Sequence, residues 1–354
     1  MGSDELYFIH CNSKTKQQKT SEQQIEKLAM FFDGYWFHTN LPSMIVYIFI
    51  SLLTIFGNIL VCAAFIKDPY RQLRTLQNYF IISLGISDLL MGIAAETLLI
   101  GTYWNGSETV FIAHYLFAIV SGVSSLLNMA ALSIHRYFAV KMPLNFQEVM
   151  TRRRILISIT IIWIYAVHFS LLPLVGWVDS RYQIYLYGLG CFLPSVVIFM
   201  AYGGIFKSIR AHTKTLGRSM GNTALKNAMS REKSTTKTML IVLVVFLSFW
   251  FPFLLVDLIM VQCIECRTFG FHVARDVTLT LTYFSSCVNP LLYAWRVTQF
   301  RRAFIRVLGL RKMMRRGNNM IYPLTVVPFR SRTEADQERS CYTNLPRKSV
   351  SVVS

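Results

Sequence analysis

Hydrophobic residues in this chain gather into seven long runs, at 43–66, 76–100, 111–134, 155–177, 185–206, 239–261 and 277–295. Shorter polar, charge-bearing segments part them. A helix needs about 20 mainly apolar residues to cross the hydrocarbon core of a bilayer. Each run is near that length, so the pattern predicts an all-α membrane protein built as a seven-transmembrane helix bundle. The chain then divides into an N-terminal arm over 1–42, the helical region over 43–310 and a tail over 311–354, the tail expected to be disordered.

The last run is broken by Asn289-Pro290. Beyond it Phe300, Phe304 and Leu308 recur at every fourth position, with Arg301, Arg302 and Arg306 between them. A proline inside a helix leaves a carbonyl without its donor and kinks the axis. In lipid that is tolerable only where a neighbouring group satisfies the freed carbonyl. Asn289, Ser285 and Ser286 lie close enough to be expected in that role. The basic coda reads as a short eighth helix in the membrane interface, apolar side toward lipid and arginines toward headgroups. Pro173, Pro194 and Pro252 predict further kinks in runs four, five and six.

Composition agrees with the pattern. Of 354 residues 53% are hydrophobic and 15% charged, too apolar for an ordinary soluble domain. With the N-terminus outside, only Lys14, Lys16, Lys19, Lys27, Arg181, Arg267 and Arg275 of the 36 basic residues fall in outer segments. The positive-inside rule therefore places the N-terminus outside and the tail in the cytoplasm. The net charge of +18 then faces anionic lipid, and no nucleic-acid partner is needed. Residues 1–42 lack the apolar core of a signal peptide, so the first run is expected to act as its own insertion signal. The polar inner segment at 207–237 reads as a solvated loop facing a partner. Serines near Arg347-Lys348 read as phosphorylation sites.

A few polar groups inside the runs change the picture further. Asp88 lies in the middle of the second run, and an ionisable residue at that depth is functional by default. Asn58, Ser125, Ser285, Ser286 and Asn289 are its candidate partners. Together they form a polar centre able to hold water or a sodium ion; a carboxylate satisfied by hydrogen bonds alone is the plainer alternative. His135-Arg136-Tyr137 closes the third run. Arg136 needs a carboxylate or a partner protein there, and Glu232 is the candidate; interfacial snorkelling is the alternative. Asn105-Gly106-Ser107 fits the N-glycosylation sequon. Cys263 and Cys266, on the oxidising side where disulfides persist, can close a small ring, while Cys11 has no assigned partner. Two cysteines are too few for zinc. No phosphate loop, nucleophile elbow or paired catalytic acids occur, so nothing points to an enzyme. No cofactor is expected beyond a bound sodium ion.

Taken in order, Gly57-Asn58, Leu84 through Asp88, Arg136-Tyr137, Trp163, Pro194 with Tyr202, Phe246 with Trp250-Phe251-Pro252, and Asn289-Pro290-Leu291-Leu292-Tyr293 resemble the rhodopsin-like family of G-protein-coupled receptors. The resemblance implies a plasma-membrane receptor that binds an extracellular small molecule between its helices and activates a heterotrimeric G protein. Arrestin and receptor kinases would be further partners. Arg136 would hold spans three and six together at rest through Glu232, then open toward the G protein as Tyr202 and Tyr293 turn toward it. Phe246 and Trp250 would form a packing switch. Asn58, Asp88, Ser125, Ser285 and Asn289 would form the sodium and water site. By depth, the ligand pocket would be walled by Ala118, Ile119, Gly122, Trp250, Phe253, Leu254, Asp257, Leu279 and Tyr283, with Glu96, His114 and His168 nearby. The two acids would favour a cationic or donor-rich ligand, unless both are hydrated near the interface.

The departures from the family pattern are informative. His135 replaces its usual acidic residue, which would loosen Arg136 and raise basal activity or make it pH-dependent. Phe111 and the segment 178–184 lack the cysteines of the usual outer bridge, implying a more open mouth. Ala118 stands where amine receptors carry an aspartate, and Tyr283 where opsins carry the lysine that binds retinal. Leu172-Pro173-Leu174-Val175-Gly176-Trp177, the Cys263/Cys266 loop and the sequence from Asn289 to Phe304 resemble adenosine receptors. Asp257 and Tyr283, however, replace the asparagine and histidine of their pocket. The ligand implied is adenosine-like or another small molecule. A non-signalling decoy or scaffold is the alternative. A transporter would show internal repeats, and none is evident.

Overall fold

The computed structural model describes residues 41–105, 107–142, 146–216, 223–263 and 265–310. Among them regular structure is entirely helical. Span one is Leu41–Lys67. Span two joins Leu76–Leu90, a π-helical turn at Met91–Glu96, and Thr97–Asn105. Span three is Glu108–Lys141, and span four is Arg152–Leu171 followed by a 3-10 turn at Pro173–Val175. Span five joins Ser180–Tyr185, a second π-helical turn at Leu186–Phe192, and Leu193–Leu216. Spans six and seven are Thr223–Gln262 and Phe269–Arg296, and a short helix, Thr298–Val307, follows. The end of the bundle that carries Arg136 is called the inner end below.

Six of these helices are long and apolar enough to cross a membrane. Span seven falls short on apolarity because it turns Thr282, Ser285, Ser286 and Asn289 into the interior, where each is at most 3% exposed. Span one shows the opposite arrangement. Phe49, Leu52 and Phe56 are exposed while Tyr47, Ile50 and Val61 on the other side are buried. Apolar surface exposed on that scale fits a lipid environment, not water.

The helical irregularities are repaired across spans. Pro290 cannot donate to the carbonyl four residues back, which is that of Ser286. Asn58 Nδ2 of span one donates to that oxygen at 3.1 Å. The repair expected from Ser285, Ser286 or Asn289 therefore comes from another helix, because side chains of the kinked span itself point elsewhere. The π turn of span two frees the Gly92 carbonyl, which accepts from Ser51 at 3.1 Å and from Thr97 at 2.9 Å. Gly57 permits this close packing: a Cβ there would lie 2.9 Å from Pro290 Cγ.

Four expectations need correction. The inner segment at 207–237 is not mainly loop: spans five and six extend to Leu216 and from Thr223. Its Lys, Arg, Ala, Met and Glu residues are good helix formers, and hydropathy detects only the part of a helix that meets lipid. Pro173 does not kink span four; it opens the 3-10 turn that ends it, completed by Gly176 at φ 93°. The short final helix does not lay its apolar side on lipid. Phe300, Ala303 and Phe304 are at most 5% exposed, inside the main core, with Phe300 against Tyr293, while Leu308 lies past the helix end and is exposed. Finally, Arg275 is no outer-loop charge but a buried residue of span seven.

Candidate functional site

Three polar layers stack along the bundle. The outermost is a cavity of about 90 Å³ between spans two, three, five, six and seven. Ala118, Ile119, Gly122, Trp250, Phe253, Leu254, Asp257, Leu279 and Tyr283 all line it. Met91, Phe111, His114, Tyr187 and Arg275 join them. Glu96 and His168 do not: Glu96 is fully buried to one side, and His168 pairs with the Tyr185 hydroxyl at 3.2 Å.

Asp257 does not wait unpaired for a ligand. Arg275 Nε donates to its Oδ1 at 2.8 Å, both side chains being at most 5% exposed. The Tyr187 hydroxyl donates to Oδ2. His114, also in the lining, spans two partners, Nδ1 to the Ala95 carbonyl at 2.8 Å and Nε2 to the Tyr283 hydroxyl at 3.2 Å. The argument from two free acids to a cationic ligand therefore fails for Asp257. Sequence reasoning counted Arg275 among loop residues and missed Tyr187. The signal for Arg275 was present: it lies four residues before Leu279 and eight before Tyr283, on one helical face.

Trp250 is the floor of the cavity. Its indole stacks on Phe246 with ring centroids 5.6 Å apart, and Nε1 donates to Ser285 Oγ at 3.2 Å. The opposing surface of span three is shaped to admit it, since a methyl group at Gly122 would collide with the indole.

Below Trp250 lies the Asp88 layer. Asn289 Nδ2 donates to Asp88 Oδ2 at 2.9 Å and Ser125 Oγ to Oδ1 at 3.2 Å. Ser286 completes the set. The carboxylate thus ties spans two, three and seven together at full burial. Two assignments shift. Ser285 belongs to the Trp250 layer, where its hydroxyl donates to the Thr282 carbonyl at 2.6 Å. Asn58 reaches the centre through the Ser286 backbone. An oxygen-rich set of carboxylate, hydroxyl and amide groups suits a hard monovalent cation or water. Beside it Ser124 links to Ser87 at 2.9 Å, and Trp163 Nε1 donates to Ser83 at 3.1 Å, joining span four to span two.

The innermost layer holds Arg136, buried at 9% exposure, and His135 at 5%. His135 packs edge-on between Phe80 and Phe146, centroids 6.2 and 5.0 Å away, and neither ring nitrogen has a hydrogen-bond partner among the described residues. It serves as an aromatic packing residue. Tyr137 lies against Gly204, where a Cβ would meet its ring, and Lys141 Nζ sits 5.1 Å from the ring centroid. Tyr202 hydrogen-bonds Ser133, and Tyr293 stacks near Phe300. Glu232 falls on span six, but its side chain lies outside the described residues, as does that of Asn105. Cys263 and Cys266 are joined by a disulfide at the outer end of span six. The connection between spans four and five is short: Asp179 accepts from Trp177 Nε1 at 2.9 Å and caps Tyr182 N at 3.0 Å.

Comparison with known proteins gives a consistent result. The family described as "7 transmembrane receptor (rhodopsin family)" matches residues 57–183 and 176–293. The histamine H2 receptor of Cavia porcellus is 29% identical over 284 residues, covering 73% of this chain and 77% of its own. The adenosine receptor A2a of Equus caballus is 25% identical over 303 residues, covering 76% and 72%. The octopamine receptor beta-1R of Drosophila melanogaster is 25% identical over 308 residues, and the chain spans only 60% of that receptor's length.

Proposed function

Because this chain belongs to the rhodopsin family of seven-transmembrane receptors, we propose that it is a plasma-membrane G-protein-coupled receptor. In this reading a small extracellular molecule binds in the cavity above Trp250, and a heterotrimeric G protein is activated at the inner end. The N-terminus is outside and the tail cytoplasmic in this reading, which the distribution of basic residues supports. Relatives that take histamine, octopamine or adenosine by name bracket the size of the ligand. Arrestin and receptor kinases would act on the inner face and tail.

One observation supports this most: Trp250 lines the cavity and also donates to Ser285, next to the Ser286 that bonds Asp88. A ligand that displaces the indole disturbs Ser285, the chain neighbour of the Ser286 that bonds Asp88 in the centre tying spans two, three and seven. An agonist then acts by binding the rearranged bundle more tightly than the one seen here. Arg136 is the residue through which the change reaches the G protein. Sodium at Asp88 would be held by Asp88, Ser125 and the Asn289 side chain, and would favour the arrangement in which those groups converge.

The test is Gα activation in cells by wild type, Arg136→Ala and His135→Asp. We expect measurable basal activation in wild type, loss of it in Arg136→Ala, and a quieter His135→Asp, because an acid there restrains the arginine. The decoy reading is favoured by one observation, the packing of His135 between aromatic rings in place of an acid. It predicts no activation in any of the three, with or without ligand.

A further inference from the structure

The polar end of the cavity is electrically balanced. Asp257 and Arg275 lie side by side in its wall, buried and paired at 2.8 Å, with Tyr187 donating to the second carboxylate oxygen. The rest of the lining is apolar or aromatic, apart from Thr282 and the His114–Tyr283 pair. That pair is satisfied with a neutral ring: a carbonyl can only accept, so His114 Nδ1 carries a proton, and Nε2 can accept from Tyr283. Glu96 does not reach the cavity.

We infer that the cavity selects a compact aromatic ligand whose polar end has no net charge and sets a donor beside an acceptor, and that it discriminates against simple amines and simple carboxylates. The inference rests on the cavity being the ligand site. An ammonium that takes Asp257 from Arg275 strands a guanidinium in a buried wall, and a carboxylate that takes Arg275 strands Asp257. Removing one partner of a buried pair is far costlier than replacing both. An ion that leaves the pair intact meets the field of the like charge as closely as that of the opposite one. A zwitterion can open the pair and leave every charge matched, and a neutral amide can set its donor on Asp257 and its acceptor on Arg275 so that neither ion is left without a hydrogen bond. The walls of Phe111, Tyr187, Trp250 and Phe253 suit a flat ring next to that head. This separates the chain from its amine-receptor relatives on a feature other than Ala118.

The test uses four near-isosteric probes: tyramine (cation), 4-hydroxyphenylacetate (anion), tyrosine (zwitterion) and 4-hydroxyphenylacetamide (neutral). Each is titrated against purified full-length protein, reading the shift in thermal midpoint, for wild type, Asp257→Asn, Arg275→Gln and the double variant. Wild type should favour tyrosine or 4-hydroxyphenylacetamide over both ions by at least about tenfold in apparent affinity. Arg275→Gln leaves a net negative wall and should switch to tyramine; Asp257→Asn should switch to 4-hydroxyphenylacetate. The double variant, neutral and close in shape, should lose tyrosine and keep the amide, and it decides the matter if a single variant does not fold. The inference is overturned if wild type takes either ion as well as the two probes whose heads have no net charge. Unchanged preference in the variants overturns it too, as does the absence of a shift with any probe in any protein. Gα activation measured on the same variants keeps the two readings apart. Failed selectivity with intact coupling refutes only the ligand class, whereas correct selectivity without coupling refutes only the receptor role.

Discussion

Asn58 shows how much a single residue can carry here. Its amide donates to the Thr54 carbonyl at 3.0 Å and to the Ser286 carbonyl that Pro290 leaves bare. Asn58→Ala should cost about 1–3 kcal/mol, the penalty of leaving a buried acceptor unmet, and the thermal midpoint of the purified protein measures it. The glycines give a sharper contrast, because neighbours in one helix differ in what a methyl group would meet. A Cβ at Gly204 would press on the Tyr137 ring, while one at Gly203 meets nothing within 4 Å. Gly204→Ala should destabilise by about 1–3 kcal/mol through overpacking. Gly203→Ala should be neutral or stabilise by up to about 1 kcal/mol from helix propensity. Equal effects at the two positions would mean that Tyr137 does not pack as described. Both glycines look alike in the sequence; only the position of a side chain from another span separates them.

Among the elements, the short helix after span seven behaves least as its sequence pattern suggests. The spacing of Phe300, Phe304 and Leu308 reads correctly as one apolar face, but periodicity cannot say whether that face meets lipid or protein. Phe300 is fully buried in the main core and Leu308 is 44% exposed. Phe300→Ala should therefore cost about 3–5 kcal/mol, the range for a large buried aromatic. Leu308→Ala should stay within about 0.5 kcal/mol, as surface changes do. A helix lying on lipid would give comparable, small effects at both. The π turns of spans two and five were invisible in the sequence for a related reason. The turn of span two, for one, gains a hydrogen bond from Ser51 of span one, a contact that no local pattern shows.

For the whole molecule, the stacked layers make a statement about coupling. Asp88 converges with Ser125 and Asn289 from spans three and seven, so an ion bound there should favour this arrangement. Replacing sodium by potassium in the medium should raise basal G-protein activation in wild type and leave Asp88→Asn unchanged. A sodium response that survives Asp88→Asn would place the ion elsewhere. The same layering explains why span seven is the least apolar of the seven: a helix that faces the interior at three depths cannot also be uniformly greasy.

Much of this was determined by the sequence alone. Seven membrane-length runs, prolines inside spans six and seven and a polar Asp88 in mid-span follow from local pattern, and depth along the spans of the resembled family picked nine residues that share one cavity. Hydrophobic length, helical periodicity and the cost of burying charge are properties of a segment by itself. The tertiary structure decided the pairings. It drew Arg275 out of a supposed loop to neutralise Asp257, gave the Pro290 repair to Asn58, moved Ser285 from the Asp88 layer to Trp250, and enclosed His135 in aromatic rings. Each of these is a contact between residues distant in the chain, or a choice between faces of one helix. Such contacts depend on how helices rotate and cross, which the sum of all packing interactions sets and no single segment encodes.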